Sequence, residues 1–182
     1  MDNDANTDRR ATVLDAARWC FLNFGYSKTS LEDIAQRAGL SRTLLYRVFK
    51  NKEDIFRGVF VEWLLSRHPA SQDVVNGPGG PRERLFAVCE LMVVAPWDEM
   101  VSAPMGHEFL DACDRIHPET SALHRRLVME SVTTLLGDEG CAEVFLLALD
   151  GQLADRPSTE TLRQRTKLLV DRFTIGLLGA KP

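Results

Sequence analysis

Thr43, Tyr46, Arg47 and Lys50 stand at i, i+3, i+4 and i+7, so on a helix they share one face. Leu45, Val48 and Phe49 fall on the opposite face. A short helix that is dry on one side and carries hydroxyl, guanidinium and ammonium donors on the other is what a major groove can accept. On this reading Arg47 faces the groove and Arg42 its edge. Tyr46, Lys50 and Lys52 face the phosphate backbone, and Thr29, Ser30, Ser41 and Thr43 add hydroxyl or backbone N–H contacts.

The flanking residues supply the elements that such a helix needs. Residues 31–52 read as helix, turn, helix, with Gly39 as the pivot where the chain requires positive φ. Ser41 is expected to cap the second helix, and Ile34, Ala35, Ala38 and Leu40 to pack where the two cross. Upstream, Val13, Leu14, Ala17, Phe21 and Phe24 recur at three- and four-residue steps, which predicts a helix over 8–24 closed by Gly25. Thr29 and Glu32 match a T-x-x-E capping box, and Asn51 precedes Glu53 and Asp54 as a cap for the next helix. An ordinary helix pair with a solvated basic face looks the same in isolation; these ordered flanks are what separate the two readings.

The order of these parts resembles that of a TetR-type transcriptional regulator. The likeness is carried by VLDAARWCFLNFGY, TSLEDIAQRAGLS and LLYRVFKNKEDI, which lie between residues 13 and 55. Two departures matter: Thr43 and Leu44 stand where the family usually has Gly-Thr, and Val48 where an aromatic residue or His is common. The resemblance therefore implies the docking mode but not the base preference. It covers about a quarter of the chain. It further implies a repressor that binds a palindromic operator on double-stranded DNA, dimerises through its last two long helices and responds to a small-molecule effector.

Composition agrees with this. The net charge of -4 argues against nucleic acid as a partner, but five basic residues and no acidic one lie from Arg37 to Lys52. Screening limits a field to about 8 to 10 Å, so the local surface decides. No run approaches the ~20 apolar residues of a membrane span, and the polar start MDNDANTDRR is unlike a signal peptide, so a cytoplasmic protein with no membrane partner is expected. Cys20, Cys89, Cys113 and Cys141 are scattered and are expected to be reduced, buried, small hydrophobes. No G-x-S-x-G, P-loop, G-x-G-x-x-G or H-E-x-x-H is present, so no enzyme, catalytic residue, cofactor or metal is called for. The alternative is a redox- or metal-sensing DNA-binding regulator using Cys89 and Cys113, or His107 and His117.

The rest of the chain reads as helical, giving an all-α protein of about nine helices. An N-terminal helix-turn-helix DNA-binding domain (1–50) would stand on a C-terminal ligand-binding and dimerisation body (51–182). Residues 68–81 read as a loop, and Pro96 as the stop of a helix begun at Pro81. Trp63, Phe86, Cys89, Met92, Trp97, Met100, Phe109 and Met129 give the body a soft, bulky interior and are the expected lining of an apolar effector pocket. Val144, Leu147, Leu162, Leu169, Phe173 and Leu177 are the expected dimer interface, because apolar residues there exceed what one neighbouring helix would cover.

Overall fold

The computed structural model describes the backbone of residues 2–179 and the side chains of residues 7–175. Among the described residues it is all-α. The helices are α1 (Asp2–Phe24), α2 (Leu31–Arg37), α3 (Arg42–Val48), α4 (Lys52–Leu65), α5 (His68–Asn76), α6 (Pro81–Cys89), α7 (Ala95–Val101), α8 (Gly106–Ile116), α9 (Pro118–Leu136), α10 (Glu139–Gly151) and α11 (Thr159–Gly179). One π-helical turn, Glu90–Val94, joins α6 to α7.

The chain divides into two compact units: residues 1–63 with 99–121, and residues 64–98 with 122–182. The first unit takes in the expected DNA-binding segment together with most of α4 and a distant stretch containing α8. The division falls within α4, α7 and α9, so the chain passes between the units three times.

In the first unit, Val13, Ala17 and Phe21 of α1 are buried with Ile34, Leu45, Phe49, Ile55 and Phe56. Gly25 closes α1 at φ 86°, its N–H donating to the Phe21 carbonyl at 3.0 Å. Gly39 takes φ 66° between α2 and α3, and the Leu40 N–H reaches back to the Ala35 carbonyl at 3.0 Å. That six-residue closure with glycine in the left-handed conformation turns the chain sharply enough to start α3 two residues later. Phe109 of α8 is also buried here, meeting Phe56 and Trp63 with ring centres 5.2 and 5.7 Å apart.

In the second unit, Leu85, Val88, Cys89, Met92, Val132, Phe145, Leu149 and Val170 share one core. Two expectations are corrected. The segment expected as a loop forms α5, because Pro69 falls in its first turn, where a missing N–H is harmless, and Ser71 and Val75 turn inward. Pro96 does not stop the preceding helix. The π turn before it is wider, with the Ala95 N–H bonding the Glu90 carbonyl, and the proline falls in the first turn of α7.

Candidate nucleic-acid interface

Helix α3 is fixed by its cap and its buried face. Ser41 is extended, and its Oγ accepts from the Leu44 N–H at 3.3 Å. Leu45 and Phe49 are fully buried beneath α3, while Val48 is half-buried. The opposite side exposes Arg42, Thr43, Tyr46 and Arg47. Arg42 Nη2 donates to the Tyr46 hydroxyl at 3.3 Å, and its guanidinium carbon lies 5.8 Å from the Tyr46 ring centre. Glu32 approaches Arg42 Nε only to 3.9 Å, and an exposed pair at that distance contributes little.

Four expectations on this surface change. Lys50 is exposed but lies beyond α3, which ends at Val48: Phe49 is drawn into the core in an extended conformation, and Lys50 already donates its backbone N–H to Asp54. Thr29 is buried, its hydroxyl donating to the Gly25 carbonyl at 2.7 Å and its N–H to the same oxygen at 3.1 Å, so neither donor is available outward. The capping box is formed one residue later, by Ser30 and Asp33, leaving Glu32 outside it. Asp33 is held below the usual carboxylate range by the Ser30 hydroxyl and then by its backbone N–H. Ser30 remains exposed, but its hydroxyl already donates to Asp33. Lys52 turns inward: its Nζ donates to the carbonyls of Tyr26 at 2.9 Å and Thr29 at 3.0 Å.

Two further arginines make cation-π contacts. Arg10 of α1 stacks its guanidinium 4.6 Å from the Phe49 ring centre. Arg37, one of the five basic residues counted above, lies 3.5 Å over Trp19. Neither contact has a local signal in the sequence, since each joins residues well separated along the chain.

The eight expected pocket residues divide between the units. Trp63, Met100 and Phe109 are buried in the first, where the Trp63 indole N–H donates to Glu99 at 2.8 Å. Phe86, Cys89, Met92, Trp97 and Met129 belong to the second, where the Trp97 indole donates to the Pro157 carbonyl at 2.9 Å. A groove of about 180 Å³ between α6 and α11 is lined by Arg82, Glu83, Phe86, Lys167, Val170 and Asp171. It includes Phe86 but not Cys89, Met92 or Met129, and it is smaller than the roughly 300 Å³ at which small-molecule sites begin. Trp63, Cys89, Met92, Trp97, Met100 and Phe109 are buried, while Phe86 and Met129 are partly buried against the second unit's core.

The expected interface is corrected in part. Leu162 is buried, while Leu169 and Phe173 pack against the second unit's core, with the Phe173 ring 5.3 Å from that of Phe145. The side chain of Leu177 lies outside the described residues. Val144 and Leu147 are more than half exposed, and so are Leu168 and Ile175 of α11. Among the described residues, the large apolar side chains exposed on α10 and α11 are therefore Val144, Leu147, Leu168 and Ile175.

The sensor alternative gains no support. Cys89 is buried and its thiol is pushed up to about 12 by desolvation, with Glu90 adding to it; Cys113 is also buried and raised, and lies in the other unit. His117 Nδ1 is 2.7 Å from the Thr120 hydroxyl, His107 is exposed, and no three His, Cys, Asp or Glu gather to hold a metal among the described residues. Cys141 is exposed, against expectation. No helix among the described residues is long and apolar enough to cross a membrane.

Comparison with known proteins gives the same picture. A family model described as bacterial regulatory proteins, tetR family, matches residues 13–59. The uncharacterized HTH-type transcriptional regulator YhgD of Bacillus subtilis is 33% identical over 88 residues, covering 46% of this chain and 46% of that protein. The HTH-type transcriptional repressor Rv1474c of Mycobacterium tuberculosis is 38% identical over 96 residues, covering 53% of this chain and 46% of that protein. The chain thus matches about half the length of these curated relatives. A solved transcriptional regulator of the TetR/AcrR family from Thermobifida fusca superposes with a TM-score of 0.66 at 25% identity, over 90% of this chain and 97% of that one.

Proposed function

We propose that this chain, which belongs by its N-terminal domain to the tetR family of bacterial regulatory proteins, is a repressor that binds a palindromic operator as a homodimer and is released by a small effector. The observation that carries the DNA part is the two-sided α3: Leu45 and Phe49 are buried, while Arg42, Thr43, Tyr46 and Arg47 are exposed on a helix capped by Ser41. In this reading Arg47 enters the groove and Arg42 contacts its edge through a guanidinium that Tyr46 already orients. In the same reading the amides of Arg42 and Thr43, ahead of the Leu44 N–H that Ser41 caps, face the phosphates, since the first N–H groups of a helix have no partner within it. Ser30, Ser41, Thr43, Tyr46 and Lys50 contribute at the rim.

The homodimer forms through Val144, Leu147, Leu168 and Ile175 in this proposal. Four large side chains more than half exposed on two long helices support it, because burying them against a second copy removes apolar surface from water. Two-fold symmetry then presents two reading helices to two half-sites about 34 to 36 Å apart. Repression is proposed by likeness to the Mycobacterium tuberculosis relative, an HTH-type transcriptional repressor. The effector is placed in the second unit, around Phe86, Cys89, Met92, Trp97 and Met129. There the core carries Met and Cys side chains beside a π turn, a feature that recurs at functional sites.

The test is a footprint of the purified protein on the DNA upstream of its own coding sequence. One protected site with two-fold symmetry, lost on adding an apolar effector found by screening, is the expected result. Uniform, sequence-independent protection contradicts it.

A further inference from the structure

The turn between α1 and α2, residues 25–29, is gripped from two sides by charged residues of other helices. From α4, Lys52 Nζ donates to the carbonyls of Tyr26 at 2.9 Å and Thr29 at 3.0 Å, and lies 4.5 Å from the Tyr26 ring centre. From α8, Glu108 Oε1 accepts the Ser27 N–H at 3.0 Å. The same carboxylate packs against Gly25, where a Cβ would collide with it and where φ is 86°, so only glycine fits.

Glu108 is itself held in place. Its neighbour Phe109 is buried against Phe56 and Trp63, and the Met105 N–H donates to the Leu22 carbonyl at 2.9 Å, tying the start of α8 to the end of α1. The ammonium takes the carbonyls of the turn and the carboxylate takes its amide, so each charge meets the end of the peptide dipole that suits it. Hydrogen bonds of this kind, with one partner ionised, are the stronger class. The turn runs directly into Ser30, the cap of α2, and α2 carries α3 through Gly39.

We propose that Lys52 and Glu108 are positioning residues that latch the 25–29 turn and so set operator affinity without touching DNA. The proposal rests on the DNA-binding reading above. A reading helix works only when held to within about half an ångström of its productive placement, and the latch is what supplies that hold at the α1 side of α2.

The test uses the full chain and a labelled fragment of its own upstream DNA, with affinity measured across a salt series. Lys52→Met is expected to weaken binding about tenfold at every salt concentration, the loss of one charge-assisted bond pair. The slope of log affinity against log salt stays unchanged, whereas removing a phosphate contact would reduce it by about one. Glu108→Ala is expected to weaken binding by about the same factor, and Glu108→Gln, which keeps the acceptor, to recover it to within about twofold. Amide exchange at Ser27 should speed up in Glu108→Ala and return in Glu108→Gln, with unfolding temperatures compared alongside. A Lys52→Met slope lower by about one overturns the proposal. Wild-type affinity in Glu108→Ala also overturns it, as does unchanged Ser27 exchange in that variant. If the wild type itself binds no DNA, it is the functional reading that fails, and the Ser27 exchange still decides the latch.

Discussion

Arg42 donates to the hydroxyl of Tyr46 one turn further along α3, at 3.3 Å. The guanidinium is thereby oriented before any partner arrives, which reduces the ordering cost of binding. Tyr46→Phe removes the acceptor and keeps the ring. It is expected to weaken operator binding by about 1 kcal/mol, the size of one hydrogen bond. Arg47→Ala is expected to act differently, relaxing sequence preference by about 1 to 3 kcal/mol at the base it reads. Affinity of each variant on a panel of single-base operator variants separates the two effects.

The dimer prediction follows from which side of α11 is open. Leu147→Glu and Leu168→Glu place a carboxylate on the exposed stripe, and are expected to give folded monomers that have lost tight operator binding. Phe173→Glu places the same charge against Phe145 in the core, and is expected to unfold the second unit instead. Light scattering with far-UV circular dichroism distinguishes these outcomes. A stable dimer for both stripe variants would show that the stripe is not the interface.

His68 and His124 face each other through Nε2 and Nδ1 at 3.3 Å, with the rings edge to face. Desolvation lowers both pKa values. His124 falls to about 4, the approach of His68 adding to the burial, while the Met92 carbonyl opposes it and Arg67 adds a little more. Glu130 partly offsets the shift of His68. A histidine whose pKa is lower folded than unfolded favours the folded state fully above its unfolded value. That contribution is lost as the pH falls, here from about 6.5 towards about 4. The unfolding temperature is therefore expected to drop over that window, and to drop less in His124→Phe. A pH-independent difference between the two proteins would count against the pair.

The thiols give a simple count. Cys141 is exposed, and Cys20, Cys89 and Cys113 are buried. Desolvation raises all three buried thiols, and the hydrogen bond to Asp138 raises Cys141. A thiol reagent is expected to label one cysteine in the native protein and four after unfolding. Mild peroxide is expected to leave DNA binding intact, and its loss on oxidation of Cys89 or Cys113 would revive a redox role.

Much of this was legible because it is local. The end of α1 at Phe24, the left-handed glycines 25 and 39 and the Ser41 cap all follow from residues within one or two turns of each other. The capping residue of α2 was not, because T-x-x-E at Thr29 and S-x-x-D at Ser30 are offset by only one position. What separates them is that Thr29 is buried with its hydroxyl committed to the Gly25 carbonyl, while its own carbonyl accepts from Lys52, 23 residues away. The inward turn of Lys52 was hidden for the same reason. The membership of α8 in the first unit rests on contacts such as Glu108 with Ser27, 81 residues apart, which no periodicity records. On α11 the apolar residues exceed one face. Which of them the chain itself buries depends on α6 and α10, so Leu169 and Phe173 were indistinguishable from Leu168 and Ile175 in advance.

In the proposed function α3 reads DNA through its exposed guanidinium groups. This reading is tested most directly by the affinity of the wild type and of the double variant Arg42→Ala/Arg47→Ala for the same operator fragment, measured at several salt concentrations. A loss of at least about a hundredfold and a shallower salt dependence are expected in the double variant, with unfolding temperature unchanged because both side chains are exposed. Equal affinity of the two proteins, at any salt concentration where the wild type binds, would contradict it.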